Sequence, residues 1–440
     1  MQRRTAKRKQ QARPLLQVAL DFVDLDRAMK VAEAAAGAGA DWLEAGTPLI
    51  KSEGLKSVRI LRQRFPKATI VADMKTMDAG RAEVEAAAKA GARVVHVLAA
   101  ASDATIAECV EAARNVGARI TADLISVPDP VARARQVEAL GVDHIGVHTP
   151  IDVQMLGGDR FGALREIAQA VNIPVAFAGG VNSETAAAAV EAGAAIVVVG
   201  GAITKADDPA AATAAIRQAM DTGTAVKSEL FRRVTEETLL EALSRVSTDN
   251  VSDALHRAPV ITAVRPLAPT MRAAGRAYTV RTAPGDFAKP VEAIDHAEPG
   301  DVLVIDAGGV GPAVWGELAT WSARNRHLAG VIVYGAVRDT PDIIEMGFPT
   351  FASAIMSNAG EPRGFGELGV PINIAGTPVR TGDWVVADND GVAVLPRERA
   401  AEIANRAMDV LERENRIRQE IKDEGSTLAT ITHLEYWEKR

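Results

Sequence analysis

Residues 72–78 read ADMKTMD and follow an apolar run, 68–71, that is typical of a buried strand. Side chains alternate along a strand, so we expect Asp73 and Lys75 to project to the same side. Because a buried charge must be paired, an acid beside an ammonium group makes a poor core. The pair suits an active site in which a metal ion or a developing anion takes up the opposing charge. A solvated strand end with an incidental ion pair is the alternative.

This strand belongs to a regular alternation of strands and helices between about residues 15 and 220. Apolar runs predict eight strands, at 15–20, 42–45, 69–72, 94–99, 120–125, 144–147, 175–178 and 196–199. Helical patterns lie between them, for example at 25–38, 81–90, 105–116 and 184–191. Eight such units predict a (β/α)8 TIM barrel within an α/β fold, with a doubly wound open sheet as the alternative.

The active site of a TIM barrel lies at the carboxyl ends of its strands. Five predicted strands end in ionisable residues, which are Asp21, Glu44, Asp73 with Lys75, Asp123 and His148. The last two strands end in glycine pairs, Gly179 with Gly180 and Gly200 with Gly201. Backbone N–H groups that carry no side chain can approach phosphate oxygens, so these pairs predict a phosphate site. Tight turns are the alternative.

Five stretches of this region resemble 3-hexulose-6-phosphate synthases, a branch of the orotidine-monophosphate decarboxylase suprafamily. They are LQVALD (16–21), DWLEAGTPLIKSEG (41–54), ADMKTMDAG (72–80), AGG (178–180) and GGAITKADDP (200–209). The resemblance implies aldol condensation of formaldehyde with D-ribulose 5-phosphate to 3-hexulose 6-phosphate, through a metal-stabilised enediolate. In the related 3-keto-L-gulonate-6-phosphate decarboxylase an arginine lies three residues after the active-site histidine. This chain has Ile151 there, which favours the synthase over the decarboxylase.

The same resemblance implies a role for each strand-end residue. Glu44 and Asp73 match the ligands of a divalent cation, Mg²⁺ or Mn²⁺, for which oxygen donors are suitable. Asp78, the last acid of the D-x-K-x-x-D motif, matches a residue that completes the neighbouring subunit's site. His148 matches the acid/base, whose ordinary pKa suits proton transfer at neutral pH. The matches to substrate-binding and charge-positioning groups are Asp21, Lys75, Asp123, Gly179, Gly180, Gly200 and Gly201.

Length and composition set the remaining limits. We expect 440 residues to form two domains, a barrel at 14–222 and a second domain at 238–440, joined by a charged linker at 223–237. Residues 1–13 hold six basic residues and no acid, which indicates a disordered tail or, alternatively, a nucleic-acid or surface contact. The net charge of −7 makes nucleic acid an unexpected partner of the rest. The single cysteine and the absence of long apolar runs predict a cytoplasmic protein without a membrane span.

The second domain has short strands separated by proline and glycine turns. Strands are predicted at 278–281, 302–305, 331–333 and 385–387, with helices at 315–325 and 397–421, which indicates an α/β layered domain. WGELATWSARNRHLAGVIVYGAVRD (315–339) and TGDWVVADNDGVAVLP (381–396) resemble the RraA-like family, whose fold is of the swivelling type. That family includes regulators of ribonuclease activity and class II 4-hydroxy-4-methyl-2-oxoglutarate aldolases.

Resemblance to the aldolases implies a second metal site. Arg338 would bind a substrate carboxylate, and Asp339 would coordinate Mg²⁺ or Mn²⁺. Glu317, where the aldolases commonly have Asp, would hold a metal-bound water, and the backbone N–H groups of Leu318 and Ala319 would receive the same keto-acid. Retention of Asp339 favours a metal-dependent keto-acid aldolase or decarboxylase. A purely regulatory or binding module is the alternative.

The two resemblances also imply an assembly. Barrels of this suprafamily are dimers, whereas RraA-like domains are trimers with clefts between subunits. A chain with both interfaces can satisfy them in a closed D3 hexamer. The alternative is a plain dimer or trimer in which one interface has been lost.

Overall fold

The computed structural model describes residues 13–148, 161–228, 234–432 and 434. The chain forms two compact units, Met1–Arg232 and Arg233–Arg440. Most of the predicted basic tail (1–13) and part of the predicted linker (223–237) lie outside the described residues. Arg13, at the end of the tail, is described, and its guanidinium pairs with Asp41 and Asp221 at 3.1 and 3.3 Å. No described helix combines the length and the apolar character needed to cross a bilayer.

The first unit is a closed barrel of eight parallel strands in chain order. The strands are β1 (Leu15–Leu20), β2 (Trp42–Ala45), β3 (Thr69–Thr76), β4 (Val94–Leu98), β5 (Arg119–Asp123), β6 (His144–His148), β7 (Val175–Ala178) and β8 (Ile196–Val199). Because β1 pairs with both β2 and β8, the sheet has no free edge. The predicted TIM barrel is confirmed, and the open-sheet alternative is wrong.

Helices surround the barrel and follow the strands along the chain. Their described bounds are Leu25–Gly37, Thr47–Glu53, Lys56–Arg64, Gly80–Ala90, Asp103–Val116, Pro130–Leu140, Gly162–Ala170, Ala186–Glu191, Gly201–Thr204 and Pro209–Thr222. Alternate strand residues such as Leu16, Val18 and Leu20 pack against these helices. A smaller apolar cluster, which includes Ala19 and Trp42, fills the barrel interior.

The interior also holds polar side chains, which an apolar barrel core would not require. The buried ones on the strands include Gln17, Glu44, Asp73, His96, Thr121, Asp123 and His144. Burial of so many polar groups needs compensating hydrogen bonds or charges. Several of these groups meet at the carboxyl ends of the strands, where such compensating interactions are therefore expected.

The second unit is built on a mixed sheet with the order β19-β18-β10-β11-β13-β14-β9, to which β12 and β15 are attached. The strands are β9 (Arg265–Pro266), β10 (Ala273–Thr282), β11 (Val302–Asp306), β12 (Ala313–Trp315), β13 (Gly330–Val337), β14 (Thr350–Ile355), β15 (Gly366–Leu368), β16 (Ile372–Ile374), β17 (Thr377–Val379), β18 (Trp384–Asp388) and β19 (Gly391–Leu395). Strands β16 and β17 form a separate hairpin.

Helices of this unit are Leu239–Arg245, Thr248–Ala254, Ala288–His296, Glu317–Asn325, Thr340–Met346, Ala400–Glu424 and Leu428–Ile431, with a 3-10 turn at Arg397–Arg399. Apolar clusters cover both faces of the sheet, so the predicted α/β layered arrangement is confirmed. The predicted start of the helix at residue 315 is wrong, because Trp315 pairs with Val337 in the sheet and the helix begins at Glu317.

Candidate functional site

The candidate site surrounds the carboxyl end of β3. Lys75 Nζ lies 2.8 Å from Asp73 Oδ2 and 3.6 Å from Asp123 Oδ2, so the structure brings the predicted acid and ammonium together. Regular strand alternation is not the reason. Lys75 has a left-handed backbone with φ of 46°, and the register of β3 against β4 shifts between Ala72 and Thr76. Such strain costs on the order of 1–3 kcal/mol and is concentrated at functional sites.

Asp73 is buried and only partly satisfied by hydrogen bonds. Thr47 Oγ1 donates to its Oδ2 at 2.7 Å and to its backbone oxygen at 2.9 Å. The other carboxylate oxygen, Oδ1, lies 3.4 Å from His96 Nδ1. Within the described part of the chain, Oδ1 has no hydrogen-bond partner, and neither does His96 Nε2. Buried polar atoms without partners are costly, and they point to a group that the protein chain does not supply.

Glu44, Asp73 and His96 together form a candidate metal centre. Each offers one ligand atom, and the three atoms lie within 4.8 Å of one another. Glu44 is buried, and its Oε2 accepts a hydrogen bond from Gln17 Nε2 at 2.5 Å. A divalent cation would satisfy both carboxylates, including the unpartnered Oδ1 of Asp73, so these residues fit such an ion. Glu44 and Asp73 are predicted from the sequence, whereas His96 is not. The available signal is a histidine at an inward position of the apolar strand VVHVL.

The ionisable groups of this centre lie close together and are largely buried, so their pKa values are shifted. Burial raises the pKa of Glu44 to about 7, and the neighbouring carboxylates Asp73 and Asp21 add to the effect. Burial acts to raise the pKa of Asp73 as well, but His96 and Lys75 outweigh it and hold that pKa below its usual range. Burial acts to lower the pKa of His96, yet Asp73 and Glu44 keep it raised. The centre therefore favours positive charge close to Asp73.

Asp21 reaches the site from the end of β1. A Cβ on Gly46 would lie 2.2 Å from Asp21 Oδ1 and 3.0 Å from the Leu20 carbonyl oxygen, so only glycine leaves room for this carboxylate. Asp21 is exposed at the barrel mouth, but the protein around it partly shields its carboxylate from water, and this, with the charge of Asp73, raises its pKa. Gly46 is a site-shaping residue that sequence reasoning missed, because a glycine after a strand usually indicates only a turn.

His148 and Asp123 form the opposite side of the site. His148 Nδ1 lies 3.5 Å from Asp123 Oδ2, and the imidazole is partly exposed at the barrel mouth. Asp123 Oδ1 accepts a hydrogen bond from the backbone N–H of Ile125 at 2.9 Å. Burial acts to raise the pKa of Asp123, but His148 and Lys75 outweigh it and lower that pKa. Ile151, on which the choice between synthase and decarboxylase depends, lies outside the described residues.

The predicted phosphate-binding glycines follow β7 and β8. Gly179 and Gly180 have φ of 121° and 67°, which L-residues with side chains rarely adopt. Gly200 lies beside Asp21, since a Cβ there would be 3.3 Å from Asp21 Oδ2, and Gly201 begins a short helix. The loop after β8 therefore lies next to Asp21, and the loop after β7 leaves the same end of the barrel because the strands are parallel. Phosphate binding itself stays a prediction.

Asp78 lies on the loop that follows β3. It is exposed, and its Oδ1 accepts a hydrogen bond from the backbone N–H of Ala79. Its predicted contribution to a neighbouring subunit's site needs a second chain and stays a prediction.

The second unit places its predicted residues around a cavity of about 150 Å³. Arg338, Asp339, Leu318 and Ala319 line it, together with Trp315 and Phe287. Arg338 Nε lies 3.2 Å from Asp339 Oδ2, and the backbone N–H of Glu317 donates to the same oxygen at 3.3 Å. The Glu317 side chain accepts instead from Trp321 Nε1 at 3.0 Å.

Comparison with known proteins agrees with the geometry of the barrel. Residues 14–216 match the model of the orotidine 5′-phosphate decarboxylase/HUMPS family. The 3-hexulose-6-phosphate synthase of Bacillus subtilis is 38% identical over 204 residues, and that of Methylomonas aminofaciens is 44% identical over 203 residues. Each match covers 97% of the relative and 46% of this chain. The chain belongs to the orotidine 5′-phosphate decarboxylase/HUMPS family.

The barrel of this family member is a lyase-type enzyme domain. A crystal structure of 3-hexulose-6-phosphate synthase is 42% identical, with a TM-score of 0.45, and covers 47% of this chain and 99% of its own. Residues 248–394 match a second family model, RraA-like, described as Aldolase/RraA. The chain is therefore a family barrel followed by an RraA-like domain.

Proposed function

We propose that the barrel catalyses the aldol condensation of formaldehyde with D-ribulose 5-phosphate to 3-hexulose 6-phosphate. The observation that carries the proposal is the near full-length match to 3-hexulose-6-phosphate synthases, in a chain whose strand-end acids, lysine and histidine meet at one mouth. The reaction needs a base for a proton next to a ketone, positive charge for the resulting anion, and a phosphate anchor. The site offers a candidate for each.

His148 is the proposed acid/base. With Asp123 accepting from Nδ1–H, the Nε2 atom is left as the basic nitrogen, because the hydrogen bond selects the tautomer. The base removes a proton from C1 of ribulose 5-phosphate, and the electron pair of that C–H bond forms the new C–C bond to the formaldehyde carbon. The formaldehyde oxygen takes up a proton, so the sum of the steps consumes and releases none. Lys75 lies where its ammonium can neutralise an anionic oxygen.

Glu44 and Asp73 are the proposed protein ligands of Mg²⁺ or Mn²⁺. When bound, the cation would stabilise negative charge on the oxygens of the sugar. The support in this chain is the buried pair of carboxylates and the unpartnered Oδ1 of Asp73. Exhaustive chelation should abolish condensation, and restoration of Mg²⁺ or Mn²⁺ should recover it. Full activity in the chelated protein would contradict the metal requirement.

A substrate comparison tests the proposed reaction against the decarboxylase alternative. The full-length chain is assayed with formaldehyde plus ribulose 5-phosphate, and separately with 3-keto-L-gulonate 6-phosphate. We expect formaldehyde-dependent consumption of ribulose 5-phosphate, with kcat/KM well above that for release of CO₂ from the sugar-acid phosphate. The reverse order of kcat/KM would establish the decarboxylase.

For the RraA-like domain we propose metal-dependent cleavage or decarboxylation of a short keto-acid. The support is a cavity that combines a cationic side chain, Arg338, with the carboxylate of Asp339 next to it. Asp339 and Glu317 alone are too few ligands for a hard cation, so substrate and water would supply the others. A binding or regulatory module is the alternative, since the Arg338–Asp339 pair is also compatible with a surface ion pair.

A further inference from the structure

His96 lies inside the barrel on β4, beside the two carboxylates proposed to hold the cation. His96 is buried, with 8% of the residue and 11% of its side chain exposed, and the facing Asp73 side chain is 7% exposed. Nδ1 lies 3.4 Å from Asp73 Oδ1 without making a hydrogen bond to it, and Nε2 has no hydrogen-bond partner among the described residues. The facing Oδ1 of Asp73 has none either. Two buried atoms without partners thus lie on side chains of the adjacent strands β3 and β4.

A second buried histidine on a barrel strand provides a comparison. His144 makes a hydrogen-bonding contact of 3.2 Å between Nδ1 and Thr121 Oγ1, and its ring lies edge-on to Trp42 at 5.5 Å between centroids. These contacts explain His144 as a core residue. In the described part of the chain no such neutral partner is found for Nε2 of His96, and the group nearest to Nδ1 is the Asp73 carboxylate. A purely structural role therefore leaves the placement of His96 unexplained.

Metal coordination would explain the position of His96 beside two carboxylates. Two carboxylates alone are a hard oxygen set of the type that Mg²⁺ uses. Adding an imidazole nitrogen makes a mixed set, and imidazole favours first-row transition ions over Mg²⁺. One ring nitrogen of His96 lies within 4.8 Å of ligand atoms from both Glu44 and Asp73, which is the spacing of ligands around a common ion.

We propose that His96 is a third protein ligand of the barrel's divalent cation and shifts its preference from Mg²⁺ towards transition ions such as Mn²⁺ and Co²⁺. The inference rests on the cation site of the proposed function and specifies that site further. Gln17 supports it by holding one oxygen of Glu44 through the hydrogen bond at 2.5 Å, which leaves the other oxygen for the ion.

The test measures metal binding directly rather than activity. The full-length chain carries Asp339→Ala, so that the candidate site of the second domain does not contribute, and is freed of metal by chelation. Co²⁺, Mn²⁺ and Mg²⁺ are titrated by calorimetry, and Co²⁺ is also followed by its visible absorption. The variants are His96→Gln, and His144→Gln as the matched control, a buried histidine outside the cluster. Circular dichroism and thermal unfolding establish that each variant is folded.

We expect the parent to bind one Co²⁺ per chain more tightly than Mg²⁺. His96→Gln should weaken Co²⁺ binding at least tenfold and alter the visible bands, since even residues that only support a metal's ligands typically cost roughly 10–100-fold in metal affinity when changed. Mg²⁺ binding should change less, and His144→Gln should leave both unchanged. Equal Co²⁺ affinity and spectra in the parent and His96→Gln would overturn the proposal.

A second variant keeps the test decisive if His96→Gln does not fold. His96→Asp replaces the nitrogen ligand by oxygen and should bind Mg²⁺ at least as tightly as the parent, with the nitrogen-dependent Co²⁺ bands lost. Unchanged Co²⁺ bands in His96→Asp would overturn the assignment. An intact Co²⁺ site in a chain without condensation activity would contradict the proposed function alone, whereas activity without a His96-dependent Co²⁺ site would contradict this inference alone.

Discussion

From the buried imidazole of His144 we predict that the barrel loses stability as the pH falls from 7 to 5. The ring is buried on β6, and burial lowers its pKa from 6.5 to about 4. In the unfolded chain the ring takes up a proton below about pH 6.5, whereas the folded barrel keeps it neutral down to about pH 4. The stabilisation is therefore fully present above pH 6.5 and is lost as the pH falls towards 4.

The size of the effect follows from the two pKa values. At pH 5 an unfolded histidine with a pKa of 6.5 is almost fully protonated, while one with a pKa of about 4 is mostly neutral. The difference in proton binding lowers the free energy of unfolding by about 2 kcal/mol relative to pH 7. Other groups titrate in the same range, so the quantity to compare is the difference between wild type and His144→Gln.

Hydrogen exchange in increasing urea, read by mass spectrometry on the peptide that contains β6, reports on the barrel rather than on the second domain. The measured exchange is corrected for the intrinsic exchange rate at each pH. Between pH 7 and pH 5, the free energy of unfolding of the barrel should then fall by about 2 kcal/mol more in wild type than in His144→Gln. Equal losses in the two proteins would refute the reasoning, since they would mean that His144 titrates alike in the folded and unfolded states.

Three further predictions concern catalysis and assembly. His148→Ala should reduce condensation by about 10²–10⁴-fold while equilibrium binding of ribulose 5-phosphate is largely retained; a loss below tenfold would make the histidine structural. Asp339→Ala should abolish Mg²⁺- or Mn²⁺-dependent turnover of oxaloacetate. If the wild-type protein turns over no keto-acid, the result would instead favour the regulatory module. Light scattering should give a particle of six 46.3 kDa protomers, because the two resemblances imply a twofold partner for Asp78 and a threefold partner for the RraA-like cleft. A stable monomer would contradict both interfaces.

The barrel could be predicted from the sequence because each unit repeats the same physical pattern. Short β-branched runs such as IVVV at β8 are too short for helices and alternate with alanine-rich amphipathic segments. Strand-end residues then follow from topology, since parallel strands place Asp21, Asp73 and Asp123 on one rim. The second domain was predicted less completely. Strands of three residues such as β12, β16 and β17 carry too few residues for a periodic signal.

Details of the site depend on contacts that spacing does not encode. The sequence suggested a regular strand through Lys75, but its ammonium reaches Asp73 through a left-handed backbone at a register shift. His96 comes from a different strand, β4, and the pairing of β4 with β3 brings its ring to Asp73. Gly46 matters because a carboxylate from β1 occupies the space a side chain would need. Each of these depends on local backbone geometry or on contacts between neighbouring strands, which residue spacing does not encode.

One measurement tests the central claim directly. The metal-loaded full-length chain is incubated with ribulose 5-phosphate and ¹³C-formaldehyde, and the carbon is followed by NMR. The account predicts that the label enters a hydroxymethyl group covalently attached to the sugar phosphate, and that this product is absent with His148→Ala under the same conditions and times. The account would be contradicted if the labelled formaldehyde remained free when ribulose 5-phosphate was saturating and Mg²⁺ or Mn²⁺ was present.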